Sequence, residues 1–209
     1  MSEIDSRTEA KSLSARGLSL YHNRKDPEDT IKAAELIRSA AELGDSTAMF
    51  YLGMFYEDGE GMAMSQVEAE KWYRLAAESG HGTSQYIQGL KHGSRGDGQA
   101  IRWFRLAAGQ GNSEAMRRLG DIYYNGNGVP RDLTEAATWY RRVARLGNTE
   151  IQYRLGLLLL EGEGLDHDRE EALKWLSLAA GQGHQAALAR LEAMSGLGFP
   201  DKEAGNDAK

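Results

Sequence analysis

The side chains best suited to catalysis or metal binding are the five histidines and the acids near them, and their spacing favours neither activity. The histidines are scattered, and none pairs with another His, Asp or Glu in a recognisable metal motif: His22, His81, His92, His167 and His184. The densest cluster, Asp166-His167-Asp168, lies where a helix is expected to begin, and Asp168 is interpreted there as a helix cap. No serine lies in a nucleophile elbow. The sequence therefore predicts no catalytic residue, metal or cofactor, although residues distant in the chain can still assemble a site.

Three Gly-x-Gly loops suggest phosphate binding, but their context argues against it. Each follows a predicted helix rather than a strand, and no third glycine or lysine follows where a phosphate loop requires one. They are predicted to be turns: Gly59/Gly61, Gly126/Gly128 and Gly162/Gly164.

The elements that carry these residues repeat along the chain. One set of glycines recurs at steps of 36, 31, 36 and 36 residues: Gly44, Gly80, Gly111, Gly147 and Gly183. Two further positions recur in phase, one occupied by Gly17, Gly53, Gly89, Gly120 and Gly156, the other by Leu36, Trp72, Trp103, Trp139 and Trp175. A period in this range indicates a solenoid of stacked units.

Within each unit the pattern predicts two helices, helix A and helix B. Ala69, Trp72, Tyr73 and Ala76 have the spacing of a helix with one buried face. Helix B starts are predicted at Asp26, at Ser65 with Glu68, at Asp132 with Glu135 and at Asp168 with Glu171. The glycines at the end of helix B fit a left-handed residue, and the residues after them suit the next helix start: Asp45, His81, Asn112, Asn148 and His184. Mid-helix glycines are costly, so Gly53, Gly120 and Gly156 are expected to press against an alanine ridge on helix B: Ala69, Ala136 and Ala172.

Composition limits the remaining possibilities. A net charge of -6 argues against general binding to nucleic acid or anionic membranes. The chain has no cysteine, its first residues do not resemble a secretory signal, and no apolar run is long enough to span a membrane. These features predict a cytoplasmic protein with a single repeat domain at residues 8–196, a flexible start at 1–7 and a flexible tail at 197–209.

The landmarks together resemble the Sel-one-like repeat family, a branch of the tetratricopeptide superfamily. The fourth unit carries them most completely: Ala115, Leu119, Gly120, Tyr123, Gly126, Gly128, Val129, Asp132, Ala136, Trp139, Tyr140, Arg141, Ala144 and Gly147. The resemblance covers roughly residues 8–195 and implies an all-α, right-handed superhelical solenoid of five antiparallel helix pairs plus a C-terminal capping helix. It also implies a scaffold whose A helices line a concave groove for peptides or proteins.

A-helix positions that point away from helix B are the candidate partner-binding residues. They are Phe50, Met54, Glu57, Tyr86, Leu90, Arg117, Asp121, Tyr124, Tyr153, Leu157 and Leu160. Tyrosine and arginine often anchor interfaces. The alternative is that several of these side chains belong to the core between repeats, since helical periodicity does not separate neighbouring faces.

Arginine is concentrated in the middle of the chain. Residues 95–154 hold ten arginines, no lysine and six acids, a local charge of +4. Four arginines share one repeat position and are interpreted as a solvated row: Arg38, Arg74, Arg105 and Arg141. Six others either dock an acidic peptide or phosphate group or pair with acids such as Glu114 and Glu150: Arg102, Arg117, Arg118, Arg142, Arg145 and Arg154.

Three function classes remain. The preferred prediction is a monomeric, non-enzymatic adaptor for a protein partner. Some cysteine-rich relatives are associated with β-lactam or cell-wall chemistry, but their cysteines are absent here. Self-association is the third class, in which the degenerate first repeat and the leucine-rich stretch at 155–160 seal against another copy. The alternative to self-association is that Leu197 and Phe199 of the tail fold back over that stretch.

Overall fold

The computed structural model describes residues 3–95, 98–161 and 169–196, and within these ranges the chain forms eleven α-helices and no strand. The helices are α1 Glu3–His22, α2 Pro27–Glu42, α3 Ser46–Asp58, α4 Gln66–Glu78, α5 Gly82–Arg95, α6 Ala100–Gly109, α7 Ser113–Asn125, α8 Leu133–Arg145, α9 Thr149–Glu161, α10 Arg169–Gly181 and α11 Gln185–Gly196. The predicted all-α arrangement of five helix pairs and a terminal helix is confirmed. No helix in the described ranges combines the length and the apolarity that crossing a membrane requires.

The chain divides into two compact parts, each larger than one repeat. They are called unit 1, Met1–Ala115, and unit 2, Met116–Lys209. In unit 1, each helix from α1 to α5 packs against the next, and α5 packs against α6. In unit 2, α8 packs on α9, α9 on α10 and α10 on α11. The domain bounds at 8–196 stay a prediction, as does flexibility at 1–7, where α1 already begins at Glu3. The tail at 197–209 lies outside the described residues.

Side-chain caps define where the helices begin. The predicted B-helix caps are present at three positions, where Asp26 accepts from the Asp29 amide, Ser65 from Glu68 and Asp132 from Glu135. Asp168 lies outside the described residues. The glycines that follow each B helix have φ between 87° and 95°, a conformation that a side chain would strain, and this is why glycine recurs there.

The mid-helix glycines are required by a bulky residue of helix B rather than by the alanine ridge. A Cβ atom at Gly53 would lie 2.8 Å from the Tyr73 ring, and the rings of Phe104 and Tyr140 cover Gly89 and Gly120 in the same way. At the two remaining positions the covering residues are aliphatic, Ile37 at Gly17 and Leu176 at Gly156. At Gly53 and Gly120 the nearest group is therefore a tyrosine ring and not the expected alanine, whereas at Gly156 the Ala172 carbonyl oxygen also lies 3.2 Å from the added Cβ position. Ala69, Ala136 and Ala172 are fully buried. The side chain that reaches the helix A backbone is thus an aromatic ring at Gly53, Gly89 and Gly120 and a leucine at Gly156.

Candidate functional site

The predicted binding residues of unit 1 lie on α3 and α5 and are called the unit 1 wall: Phe50, Met54, Glu57, Tyr86 and Leu90. None of these side chains is fully buried, whereas Leu52 on the opposite face of α3 has no exposed surface. Phe50 is half-buried against the core, and Tyr86 packs at 5.9 Å from the Phe104 ring. These residues therefore contact the core on one side and remain accessible on the other.

An imidazole ring supports the aromatic part of this wall. Phe50 stacks on His81, with ring centroids 4.6 Å apart and planes inclined by 25°. The Nδ1 atom of His81 accepts the Ser84 amide at 3.3 Å, which caps α5. Burial lowers the pKa of His81, and the nearby Asp45 carboxylate partly opposes that effect.

The acidic member of the unit 1 wall binds a tyrosine of helix B. The hydroxyl of Tyr73 donates to Glu57 at 2.6 Å. Burial and this carboxylate raise the pKa of Tyr73, so its hydroxyl stays protonated and remains a donor. Glu57 is itself exposed.

The predicted residues of unit 2 lie on α7 and α9 and are called the unit 2 wall: Arg117, Asp121, Tyr124, Tyr153, Leu157 and Leu160. None is fully buried, whereas Leu119 and Leu155 have no exposed surface. Tyr153 and Leu160 are half-buried against a cluster that includes Leu176. This wall also combines core contact with accessible surface.

Asp121 is the centre of the charge network in the unit 2 wall. It accepts hydrogen bonds from Arg117 at 3.0 Å and from the Tyr140 hydroxyl at 2.8 Å, and Arg154 approaches it at 3.5 Å. Burial and the Asp121 charge raise the pKa of Tyr140. Arg154 also donates to Glu150 at 2.7 Å, which lowers the pKa of that carboxyl group.

A cavity of about 220 Å³ lies beside this network, entirely within unit 2. Its lining combines charged and amide side chains with two leucines and two tyrosines. The lining residues are Asp121, Tyr124, Asn125, Tyr140, Arg154, Leu157 and Leu158. A cavity with an apolar wall and a few oriented polar groups suits one side chain of a partner.

A second histidine continues the network at α11. His184 accepts the Ala187 amide at Nδ1, at 3.2 Å, so its proton is on Nε2, which faces Glu150 at 3.1 Å. Its ring stacks on Tyr153 with centroids 4.4 Å apart. The sequence predicted both histidines as helix starts but not their stacking on wall residues.

Five residues that contact the walls were not among the binding residues predicted from the sequence: Tyr73, Tyr140, Glu150, His81 and His184. Tyr73 and Tyr140 occupy the same repeat position as Phe104 and Leu176. The recurrence of a bulky residue at this position is the sequence signal that could have identified the two tyrosines. The reach of the histidine rings and of Glu150 depends on side-chain rotamers, which the repeat pattern does not give.

The arginines of the predicted solvated row make different contacts. Arg38 donates to Tyr56, Arg74 lies 4.0 Å from Glu78, and Arg141 forms a bidentate pair with Glu171. In the second set, Arg117 and Arg154 pair with acids, and Arg102 and Arg142 lie over Trp103 and Trp139. Pairing of this kind fits the solvated-face interpretation better than an open anion site.

Two of the predicted Gly-x-Gly turns are described, and in both the glycines have positive φ angles of 69–80°: Gly59/Gly61 and Gly126/Gly128. The third turn, Gly162/Gly164, and the cluster Asp166-His167-Asp168 lie outside the described residues. Within the described ranges, no group of three His, Asp or Glu side chains is arranged to hold a metal ion.

A family model described as Sel1 repeat matches residues 12–45, 46–81, 86–112, 113–148 and 150–184. The fold is similar to the crystal structure of a protective antigen of uropathogenic Escherichia coli that displays an SLR fold. That similarity has a TM-score of 0.75 and 28% identity, over 91% of this chain and 42% of the antigen. A Sel1 repeat protein from Oxalobacter formigenes is similar with a TM-score of 0.70 and 31% identity, over 88% of this chain and 55% of that protein. The chain thus covers less than two thirds of either relative, and no curated protein matches it.

Proposed function

Because the chain belongs to the Sel1 repeat family, whose members are generally protein-interaction scaffolds, we propose that it is a non-enzymatic adaptor that binds a protein or peptide partner. The contact residues in this proposal are the unit 1 wall and the unit 2 wall. The proposed location is the cytoplasm, and the proposed state is a monomer.

The observation that supports this proposal most directly is the exposure of the walls. All eleven side chains keep accessible surface, while Leu52, Leu119 and Leu155 on α3, α7 and α9 have none. Tyr124 is 36% exposed and lines the cavity of unit 2 with its ring. Half-buried aromatic residues of this kind lose little conformational entropy on binding and supply large contact areas.

The contacts behind the walls favour binding without rearrangement. Stacking on His184 holds Tyr153, and the Asp121 network fixes Arg117 and Arg154 before a partner arrives. Side chains that are already ordered reduce the entropy cost of association. The proposed mechanism is presentation of a preformed surface to an extended or helical segment of the partner.

The experiment uses tyrosine variants of unit 2. A partner captured by crosslinking in the native cell is purified, and its affinity is measured by calorimetry for the wild type, Tyr124→Ala and Tyr153→Ala. We expect each variant to weaken binding at least about tenfold, as for an interface anchor. The melting temperature should change little for Tyr124→Ala, because its ring is among the more exposed aromatic groups.

Leu178→Ala is the matched control, because Leu178 is similarly exposed but lies on α10, a B helix. Binding that weakens equally in all three variants would contradict the assignment of the partner site to the A helices. Turnover of a β-lactam substrate would contradict the non-enzymatic part of the proposal, and concentration-dependent sizing would contradict the monomer.

A further inference from the structure

His81 and His184 occupy the same position of their repeats, directly before α5 and α11. At the equivalent position of other repeats, Asp45, Asn112 and Asn148 accept the backbone amide of the third residue that follows. The histidines make the same contact through Nδ1. This contact requires an Nδ1 atom without a proton, because a protonated imidazole has only donors.

The histidine ring adds a second contact that an Asp or Asn cap does not have. It stacks on Phe50 in unit 1 and on Tyr153 in unit 2, and both aromatic residues precede the mid-helix glycine by three positions. One imidazole therefore connects the start of an A helix to an aromatic residue of the preceding A helix. Any change that displaces the imidazole therefore affects both the helix start and the stacked aromatic residue.

The charged groups around the two histidines differ. His81 is surrounded by the Phe50 ring of α3, by Ser84 of its own helix and by the Asp45 carboxylate at the start of α3, which acts at longer range. His184 has the Glu150 carboxylate of α9 at 3.1 Å from Nε2, and Arg154 binds the other oxygen of that carboxylate. The Nδ1 atom of His81 lies 3.0 Å from the Ser84 hydroxyl as well as 3.3 Å from the Ser84 amide, so a protonated Nδ1 donates to the hydroxyl and loses the amide.

We propose that His81 is a positioning residue for Phe50, and that protonation of its Nδ1 releases both the start of α5 and the Phe50 ring. The direction of the pH effect follows from the environment of His81. Burial holds its pKa below the ordinary value of 6.5, so the unfolded chain binds this proton first as the pH falls. The contribution of His81 to stability is complete above pH 6.5 and decreases below it.

The consequence for binding rests on the proposed function, because it requires that a partner contacts Phe50. Acidification then weakens binding at the unit 1 wall. Release of the ring itself requires no partner and is measured separately.

The test follows the full chain by NMR between about pH 7.5 and about pH 5, a range that spans histidine titration. In the wild type, we expect the protection factor of the Ser84 amide to fall about fivefold, the size expected from losing one helix cap. The Phe50 ring signals should shift with the same midpoint as the His81 imidazole. His81→Asn keeps a cap of the kind found at Asn112 and Asn148, so its Ser84 protection should not depend on pH in this range.

His184→Asn is the matched control, and it should leave the pH response of Ser84 and Phe50 unchanged. The inference is overturned if His81 titrates while the Phe50 signals stay fixed, or if His81→Asn retains the pH response. A partner that binds equally at both pH values while the ring is released would contradict the proposed use of Phe50 in binding but not its positioning by His81.

Discussion

The unit 1 wall and the unit 2 wall use the same backbone positions for different chemistry. Phe50, Met54 and Glu57 of α3 correspond in register to Arg117, Asp121 and Tyr124 of α7. Unit 1 thus has an aromatic and apolar surface with one exposed carboxylate, whereas unit 2 has a charge network beside a cavity. The repeat fixes where a side chain stands, and the residue type decides what it can recognise.

The helix B tyrosine shows the same contrast. Tyr73 and Tyr140 cover equivalent glycines, but the hydroxyl of Tyr73 reaches Glu57 and that of Tyr140 reaches Asp121. Asp121 is directly after its glycine and also binds two arginines, while Glu57 lies further along the helix and is exposed. The difference indicates that unit 2 is held more rigidly around its tyrosine than unit 1.

The largest effect is expected from filling the glycine positions beneath these rings. We expect Gly120→Ala to lower the free energy of unfolding by about 3 kcal/mol and Gly53→Ala by about 2 kcal/mol, because an added methyl group overpacks each contact. The loss is larger at Gly120, where the Asp121 bond limits movement of the Tyr140 ring. Urea denaturation measures both values.

Gly109→Ala is the control for helix propensity. Among the described residues outside its own helical turn, no atom lies within 4 Å of the added methyl group, and the change should stabilise by up to about 1 kcal/mol. If the two alanine substitutions at Gly53 and Gly120 lower the free energy of unfolding equally, the inferred difference in rigidity between the units is contradicted.

A smaller effect is expected from the carboxylates that bind the tyrosines. Asp121→Ala should lower the free energy of unfolding by about 2 kcal/mol, because it removes the acceptor of the Tyr140 hydroxyl and one ion pair of Arg117. Glu57→Ala should cost less than about 1 kcal/mol, because its carboxylate is exposed. Double-mutant cycles with Tyr140→Phe and Tyr73→Phe isolate the two bonds. Equal coupling energies in the two cycles would contradict the expected difference between the Tyr140–Asp121 bond and the Tyr73–Glu57 bond.

The smallest effect concerns acid stability in unit 2. Bonds from Arg154 and then His184 lower the pKa of Glu150, so its contribution to stability is present above the ordinary value of 4.5 and is lost as the pH falls through the lowered value. Because its side chain is half exposed, we expect Glu150→Gln to reduce the acid-induced loss by less than about 1 kcal/mol. Thermal unfolding at a series of pH values measures this change. Glu78→Gln, in a 4.0 Å pair of unit 1, is the comparison variant, and an identical response of both variants would contradict the role of Arg154.

Helix order and helix starts were predictable from the sequence because they depend on local contacts. Asp26, Ser65 and Asp132 cap helices through residues three positions away, and Gly147 ends α8 through its own backbone angles. The A-helix positions of the walls also followed from helical periodicity. Their use in binding stays a prediction.

The interactions of the walls were less predictable because they join residues far apart in sequence. Tyr140 was expected to belong to the repeat pattern, but its bond to Asp121 depends on how α8 crosses α7. The expected partner of Gly53 was an alanine, and it is the Tyr73 ring. His81 was expected only to begin a helix, and its ring orientation against Phe50 was missed.

The sequence by itself determined the repeat, the helix pairs and the positions at which glycine is required, since periodicity, caps and backbone angles act within a few residues. Only the tertiary structure decided which polar atoms meet, because a hydrogen bond between helices requires a rotamer and a crossing distance that spacing along one chain does not specify. The charge network of Asp121 and the histidine stacks at Phe50 and Tyr153 belong to that second group.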